Sequence, residues 1–514
     1  MKRILTLALT LTIMLTLAYS AGVSAASGNA SITVTPPAGL VLDAGDFEAY
    51  MLFELEIHGE DYVYEPVPAV SVFLGQSGMA RKYGNSPEEF RQWLQDAERS
   101  YDDDLLIGLA KDLSNSGVFD PVAGKEKSGD DILFYDLDYG YYLITGGGAR
   151  EDNGRFIFSR SMLVNVPDSG GNEEIVINLK ADVPEIEKEV KNDGGIWDKE
   201  TDRSIGDIAE FRLTSKVPGT KGYESYIYTV TDVMSKGLTF QNDVVITISD
   251  PAGIGMPITD SGINYTTSFS TNPLTNVTTI TIAFDPVDFL TLPTGWDIEI
   301  LYSAILNERA VSGSEGNPNT VFLTYSNNPN WDGSGNPPTD DTPPSEVIVY
   351  TFDVNIIKVD GVDTEVLLPG AEFVLKTENG DVLWFFKAGG IYLVAETQSS
   401  GGGRTQTLVS DSNGLIRAEG LDAGIYFLEE TKAPVGYNLL DADVSIEITH
   451  AGGGDYQVNG LTDGIVQVEN NTGGILPGTG GMGVYVIYGA GAALAAILGA
   501  AFIVQRKRKA LNIK

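Results

Sequence analysis

Tyr426-Phe427-Leu428-Glu429-Glu430-Thr431-Lys432-Ala433-Pro434-Val435-Gly436-Tyr437 alternates apolar and polar residues and then breaks at a Pro-x-Gly turn. A period of two predicts a β-strand with Tyr426, Leu428 and Glu430 on one face. A carboxyl on the apolar face is costly unless something partners it. The same parity applied to the strand from Tyr350 to Val359 puts Phe352, Val354, Ile356 and Lys358 together, with Asp353 and Asn355 opposite. In the last strand of the region Val466, Val468 and Asn470 share a face, which selects Asn470 over Asn471. One region thus directs a lysine, an acid and an asparagine inward.

The pattern recurs upstream. In Glu185-Ile186-Glu187-Lys188-Glu189-Val190-Lys191, Lys188 lies between Ile186 and Val190 on the apolar face. Asp232 follows Tyr226, Tyr228 and Val230 in register, and Asn319 leads Val321, Leu323 and Tyr325. Burial penalises an ammonium, so the Lys188 amine is expected to lose its proton, the state a nucleophile needs. Strand-end residues making ordinary hydrogen bonds are the alternative reading of this second set.

Working outward, 59 Gly, 23 Pro and 23 Tyr among 514 residues, with Val/Ile/Thr-rich runs between turns, predict a mainly β chain of tandem immunoglobulin-like sandwiches. The first region adds a short helical insertion. Ser86, Pro87 and Glu89 form a capping pattern, Phe90, Trp93, Leu94 and Ala97 an apolar stripe, and a second helix is expected from Asp103 to Leu113. Leu137-Asp138-Tyr139-Gly140-Tyr141-Tyr142-Leu143-Ile144 reads as strand and recurs as Leu421-Asp422-Ala423-Gly424-Ile425-Tyr426-Phe427-Leu428, which suggests related domains. The region ends on Glu174-Ile175-Val176-Ile177-Asn178-Leu179-Lys180, whose alternation turns Lys180 away from Ile175, Ile177 and Leu179 and toward solvent.

The ends carry addresses. Lys2 and Arg3 before an apolar run and Val23-Ser24-Ala25-Ala26 read as a signal peptide cut after Ala25 or Ala26. Near the other end stand Leu476-Pro477-Gly478-Thr479-Gly480, an uncharged run from Met482 to Val504 and Arg506-Lys507-Arg508-Lys509. That run is long enough for a membrane helix with a cytoplasmic basic stop. Removing both ends takes away seven cationic residues and no acidic one, so the net charge moves from −38 to −45. Such a surface argues against nucleic acid as a partner. Export without cysteine leaves no disulfide to brace the domains. His58 and His450 are the only histidines, so neither a zinc site nor a Ser/His/Asp site can be argued. Asp332, Ser334 and Asn336 alternate as calcium ligands do, but Pro337 stands where glycine is wanted, and the stretch reads as a linker. No metal or cofactor is expected.

The terminal pentapeptide, apolar run and basic tail resemble the cell-wall sorting signal of Gram-positive surface proteins. The segment around Glu430, with Leu368-Pro369-Gly370-Ala371-Glu372-Phe373 before it, resembles the collagen-adhesin B-type, or SpaA-type, domain. Ile205-Gly206-Asp207, Thr231 to Thr239 and Gly316 to Val321 resemble the middle domain of backbone pilins. The whole is similar to a Gram-positive backbone pilin. The division expected is signal peptide 1–26, N-terminal pilin domain 27–183, middle isopeptide-forming domain 184–345, SpaA-type domain 346–474 and sorting signal 475–514. The resemblance implies isopeptide bonds Lys188–Asn319 and Lys358–Asn470, assisted by Asp232 and Glu430, each closing a loop of more than 100 residues between the first and last strand of its domain.

It further implies that Lys180 is the acceptor amine for Thr479 of another copy. The Tyr-Pro-Lys-Asn context usual in the family is absent here. The implied partners are pilin-type and housekeeping sortases, copies of the chain itself in a covalent homopolymer, minor or tip pilins, peptidoglycan and host surface ligands, with transient membrane insertion through the C-terminal helix. The chain would be a sortase substrate on the cell surface and not a turnover enzyme. A monomeric wall-anchored adhesin using the same domains as a stalk is the alternative.

Overall fold

The computed structural model describes residues 24–25, 29–37, 40–42, 47–58, 61–100, 103–150, 156–159, 161–168, 173–179, 184–258, 262–329, 331, 335–395, 403–462 and 464–472. They are mainly β, and their sheets fall into three consecutive groups along the chain.

In the first group β1 (Ala30–Thr35), β2 (Ala49–His58), β3 (Asp131–Leu137), β4 (Gly140–Ile144), β5 (Met162–Val166) and β6 (Glu174–Asn178) form two sheets, ordered β2-β4-β5 and β6-β1-β3. Ser24–Ala25, inside the stretch read as signal peptide, pair antiparallel with Ile57 and Glu56 of β2. Between β2 and β3 lie α1 (Pro68–Leu74), α2 (Met79–Tyr83), α3 (Pro87–Ser100) and α4 (Asp103–Ser116). The Ser86 hydroxyl accepts the Glu89 N–H at 3.2 Å, the N-cap bond the sequence calls for, while the Glu89 carboxylate reaches back to the Asn85 N–H at 2.6 Å. Phe90 is buried and stacks on Phe53 of β2 at 5.6 Å between ring centroids, so the helices close the core that the strands leave open.

The stretch from Leu137 to Ile144 is a corner and not one strand. Its chain leaves β3 in one sheet and enters β4 in the other. A Cβ at residue 140 would fall 2.3 Å from the Phe53 carbonyl oxygen, so only glycine fits the crossing. The Tyr142 hydroxyl donates back to the Asp138 carbonyl at 2.6 Å. The recurrence at 421–428 is a corner of the same kind, where the Tyr426 hydroxyl returns to Asp422, donating to its carboxylate and lying 3.2 Å from its carbonyl.

The second group packs β7 (Ile186–Lys191), β8 (Ile208–Lys216) and β11 (Asp297–Leu306) into one sheet. β9 (Tyr228–Met234), β10 (Thr278–Phe284), β12 (Asn317–Ser326) and β13 (Ser345–Tyr350) lie in the other, ordered β13-β12-β9-β10. β13 corrects two expectations. It pairs with β12 from Asn317↔Val349 to Val321↔Ser345, so residues 346–349, assigned from the sequence to the third region, are bonded to the middle sheet. Asn319 is therefore not on the last strand of its sandwich. Thr351 interrupts what reads in the sequence as one strand beginning at Tyr350.

The third group has β14 (Phe352–Asp360), β16 (Leu415–Leu421) and β19 (Ile465–Asn470) in one sheet, and β15 (Glu372–Thr377), β17 (Gly424–Lys432) and β18 (Val444–Gly452) in the other. β14 and β19, the first and last strands, run parallel with Lys358↔Val468 and Asp360↔Asn470 in register.

Candidate functional site: two buried lysine, acid and asparagine clusters

Alternation on β7 buries Ile186, Lys188 and Val190, with Lys188 wholly inaccessible. Asp232 on β9 and Asn319 on β12 come to it from the facing sheet, both also buried. The Lys188 ammonium donates to Asp232 Oδ2 and, at 2.5 Å, to the Tyr302 hydroxyl. That hydroxyl donates to Asp232 Oδ2 at 2.7 Å and accepts from Asn319 Nδ2 at 3.0 Å. The backbone holds the lysine in place. Its N–H donates to the Ser345 hydroxyl at 3.0 Å, and its carbonyl accepts from the Lys199 amine at 2.6 Å. The Phe211 ring lies beside the amine, its centroid at 5.4 Å.

Burial pulls the Lys188 amine down to about 8, with the Asp232 charge and hydrogen bond working against that fall. Burial thus favours the neutral amine, the state a nucleophile needs, while Asp232 favours the ammonium. Burial, and then Asp232, push the Tyr302 phenol well above its ordinary value, so it stays protonated. Asp232 Oδ1 and Asn319 Oδ1 are buried without a hydrogen-bond partner. Such an orphaned acceptor costs about 1–3 kcal/mol.

The third-region cluster is wired differently. Lys358 is wholly buried on β14, and its amine donates to the carbonyl of Val468, its cross-strand partner, at 2.9 Å. Asn470 follows two residues later on the same face of β19. Glu430 reaches in from β17 of the opposite sheet and accepts from Asn470 Nδ2 at 2.9 and 3.0 Å and from the Leu440 N–H at 2.9 Å. Asn470 Nδ2 also donates to the Asn438 carbonyl at 2.9 Å, while its Oδ1 has no partner. Burial lowers the Lys358 amine to about 8, against the upward push of Glu430, Glu469 and Asp360.

All six inward residues named from the sequence are thus buried, three in each of two clusters. Tyr302 was missed. It sits on β11, where Ile298, Ile300, Tyr302, Ala304 and Leu306 alternate inward, so the same parity test would have reached it. Lys180 and Leu476-Pro477-Gly478-Thr479-Gly480 lie outside the described residues, as do the apolar run from Met482 to Val504 and the linker residues Asp332 and Ser334. Leu179, beside Lys180, donates to the Thr35 carbonyl at 2.9 Å and packs on the first core. Among the described residues no helix is long and apolar enough to cross a membrane, and no group of three or more His, Cys, Asp or Glu could hold a metal.

Two of the β sandwiches thus each hold a buried lysine, acid and asparagine, and both regions match known domain families. Residues 352–461 match the SpaA family, described as a prealbumin-like fold domain, and residues 205–329 match the Gram-positive pilin backbone subunit 2, Cna-B-like domain. Through these two regions the chain is similar to modules of Gram-positive backbone pilins. Asp232, Tyr302, Asn319, Lys358 and Glu430 fall inside the matched stretches, and Lys188 and Asn470 outside them.

The trypsin-resistant surface T6 protein of Streptococcus pyogenes serotype M6 is 27% identical over 277 residues, 51% of this chain. The chain spans 45% of that relative's length. The solved T6 backbone pilin of the same organism matches in fold with a TM-score of 0.52 and 18% identity, covering 87% of this chain and 99% of that one.

Proposed function

We propose that this chain is the structural subunit of a sortase-assembled, covalently linked pilus shaft on a Gram-positive cell surface, braced internally by the bonds Lys188–Asn319 and Lys358–Asn470. The observation that carries the reading is the pair of buried lysine, acid and asparagine clusters in two regions of a cysteine-free chain that are similar to pilin modules. In each cluster the neutral amine attacks the asparagine carboxamide carbon, the acid manages the protons, and ammonia leaves. Folding supplies the proximity that makes so sluggish an exchange feasible, and each site reacts once. Neither cluster turns over substrate, so the chain is a building material and not an enzyme.

Between subunits, a pilin sortase joins Thr479 of one copy to Lys180 of the next, and a housekeeping sortase fixes the finished shaft to peptidoglycan. The domains follow the division 27–183, 184–345 and 346–474, with the second boundary moved to about 350 to follow the pairing of β13. The test is a wall extract run in sodium dodecyl sulfate. A ladder of resistant bands that Lys180→Ala abolishes is expected, with the Thr479–Lys180 junction peptide found by mass spectrometry. A single band in the parent would instead favour a monomeric wall-anchored adhesin.

A further inference from the structure

We infer that Tyr302 is a catalytic residue of the middle cluster, relaying to Asn319 the proton that lets its nitrogen leave as ammonia. The inference rests on the proposed Lys188–Asn319 bond and deepens it. The phenol oxygen is the one atom in contact with all three partners, 2.5 Å from Lys188 Nζ, 2.7 Å from Asp232 Oδ2 and 3.0 Å from Asn319 Nδ2. A hydroxyl has one hydrogen and two lone pairs, and here each is used. The ring is buried and fixed, stacked on Phe211 at 5.3 Å and edge-on to Phe240 at 6.0 Å.

The comparison with the third region says why a relay is needed. There Glu430 touches the asparagine nitrogen directly through both oxygens. In the middle cluster the hydrogen-bond partners of Asp232 are Lys188 and Tyr302, and the acid meets Asn319 only through the phenol. An acid that cannot reach the leaving group cannot protonate it unaided.

The step balances without another reactant. A bond forms between Lys188 Nζ and Asn319 Cγ, and the bond from Cγ to Nδ2 breaks. One proton passes from Nζ to Asp232 Oδ2. As the phenol gives its own proton to Nδ2, it takes that one from Asp232, so acid and phenol finish as they began and ammonia departs with the third hydrogen.

The test is Tyr302→Phe in the full chain, read by intact mass and peptide mapping. The parent should weigh about 34 Da less than its sequence for two lost ammonias. Tyr302→Phe should show a deficit of about 17 Da, with the Lys358–Asn470 peptide present and Lys188 free. In freshly synthesised chain its Lys188–Asn319 bond should form on the order of 100-fold more slowly. A bond forming at the parental rate overturns the inference and leaves the cross-link reading standing. No deficit in the parent overturns the cross-link reading itself.

Fluorotyrosine at position 302 keeps the ring in place and changes only the acidity of the hydroxyl. A severalfold change in rate is expected, whereas an unchanged rate would make the residue packing alone and would again overturn the relay.

Discussion

The two clusters hold the same three residue types and use opposite architectures. In the middle region the lysine stands on one sheet and both acid and asparagine on the other, so the proposed bond ties two layers face to face. In the third region lysine and asparagine lie on neighbouring parallel strands of one sheet, and only the acid comes from across the core. The difference is mechanical as much as chemical. β14 and β19 are the first and last strands of their sandwich, so a bond between them carries nearly all of a pull applied at its ends. In the middle region β13 follows the Asn319 strand and stays outside the covalent loop.

Single-molecule stretching should expose that contrast most strongly. The third region should not lengthen before its backbone breaks. The middle region should release the roughly 30 residues from Asn319 to Tyr350, giving an extension on the order of 100 Å. Equal inextensibility of both regions would refute the loop assignment.

The next largest effect separates variants by what they leave behind. Either Lys188→Ala or Asn319→Ala should remove the proposed cross-link, whose loop entropy would be worth on the order of 4–5 kcal/mol. Lys188→Ala also strands Asp232, buried and without its cation, so it should melt lower than Asn319→Ala. Lys358 bonds a carbonyl and not the acid, so Lys358→Ala and Asn470→Ala should melt close together. Thermal unfolding of the four variants, each checked for its restored 17 Da, measures both differences.

On pH the two clusters should agree. Both amines are lowered from 10.5 to about 8, so between these values the unfolded chain binds more protons than the folded one. Stability of the unlinked Asn319→Ala and Asn470→Ala variants should therefore rise as pH climbs from about 8 to 10.5, and the penalty should be complete below 8. Bond formation in the parent should quicken up to about pH 8 as the neutral amine accumulates. Denaturant titrations of the two variants at pH 7.5 and 10 test the sign.

The smallest effect concerns Ser345, whose hydroxyl accepts the Lys188 N–H and so ties the start of β13 to β7. Ser345→Ala should cost about 1 kcal/mol and lower the force at which the segment outside the loop peels away. In the third region the buried Ser410 hydroxyl accepts the Ala371 N–H at 2.9 Å, and Ser410→Ala should leave that force unchanged.

Much of this was legible in the chain itself. Parity alone buries Lys188, Asp232, Asn319, Lys358, Glu430 and Asn470, because a strand has only two faces and a core admits only one of them. Repetition of Leu-Asp-x-Gly in the first and third regions marks a corner between sheets and not the continuous strand its composition suggests. Which strands become neighbours is another matter, since parity is silent on pairing. The sheet-to-sheet placement of one cluster, the parallel β14–β19 pair of the other, the capture of residues 346–349 by β12 and the meeting of Tyr302 with three partners each depend on contacts between residues tens to more than a hundred positions apart. The alternation of a strand is local and written in its own residues. Its neighbours are chosen by the packing of the whole sandwich.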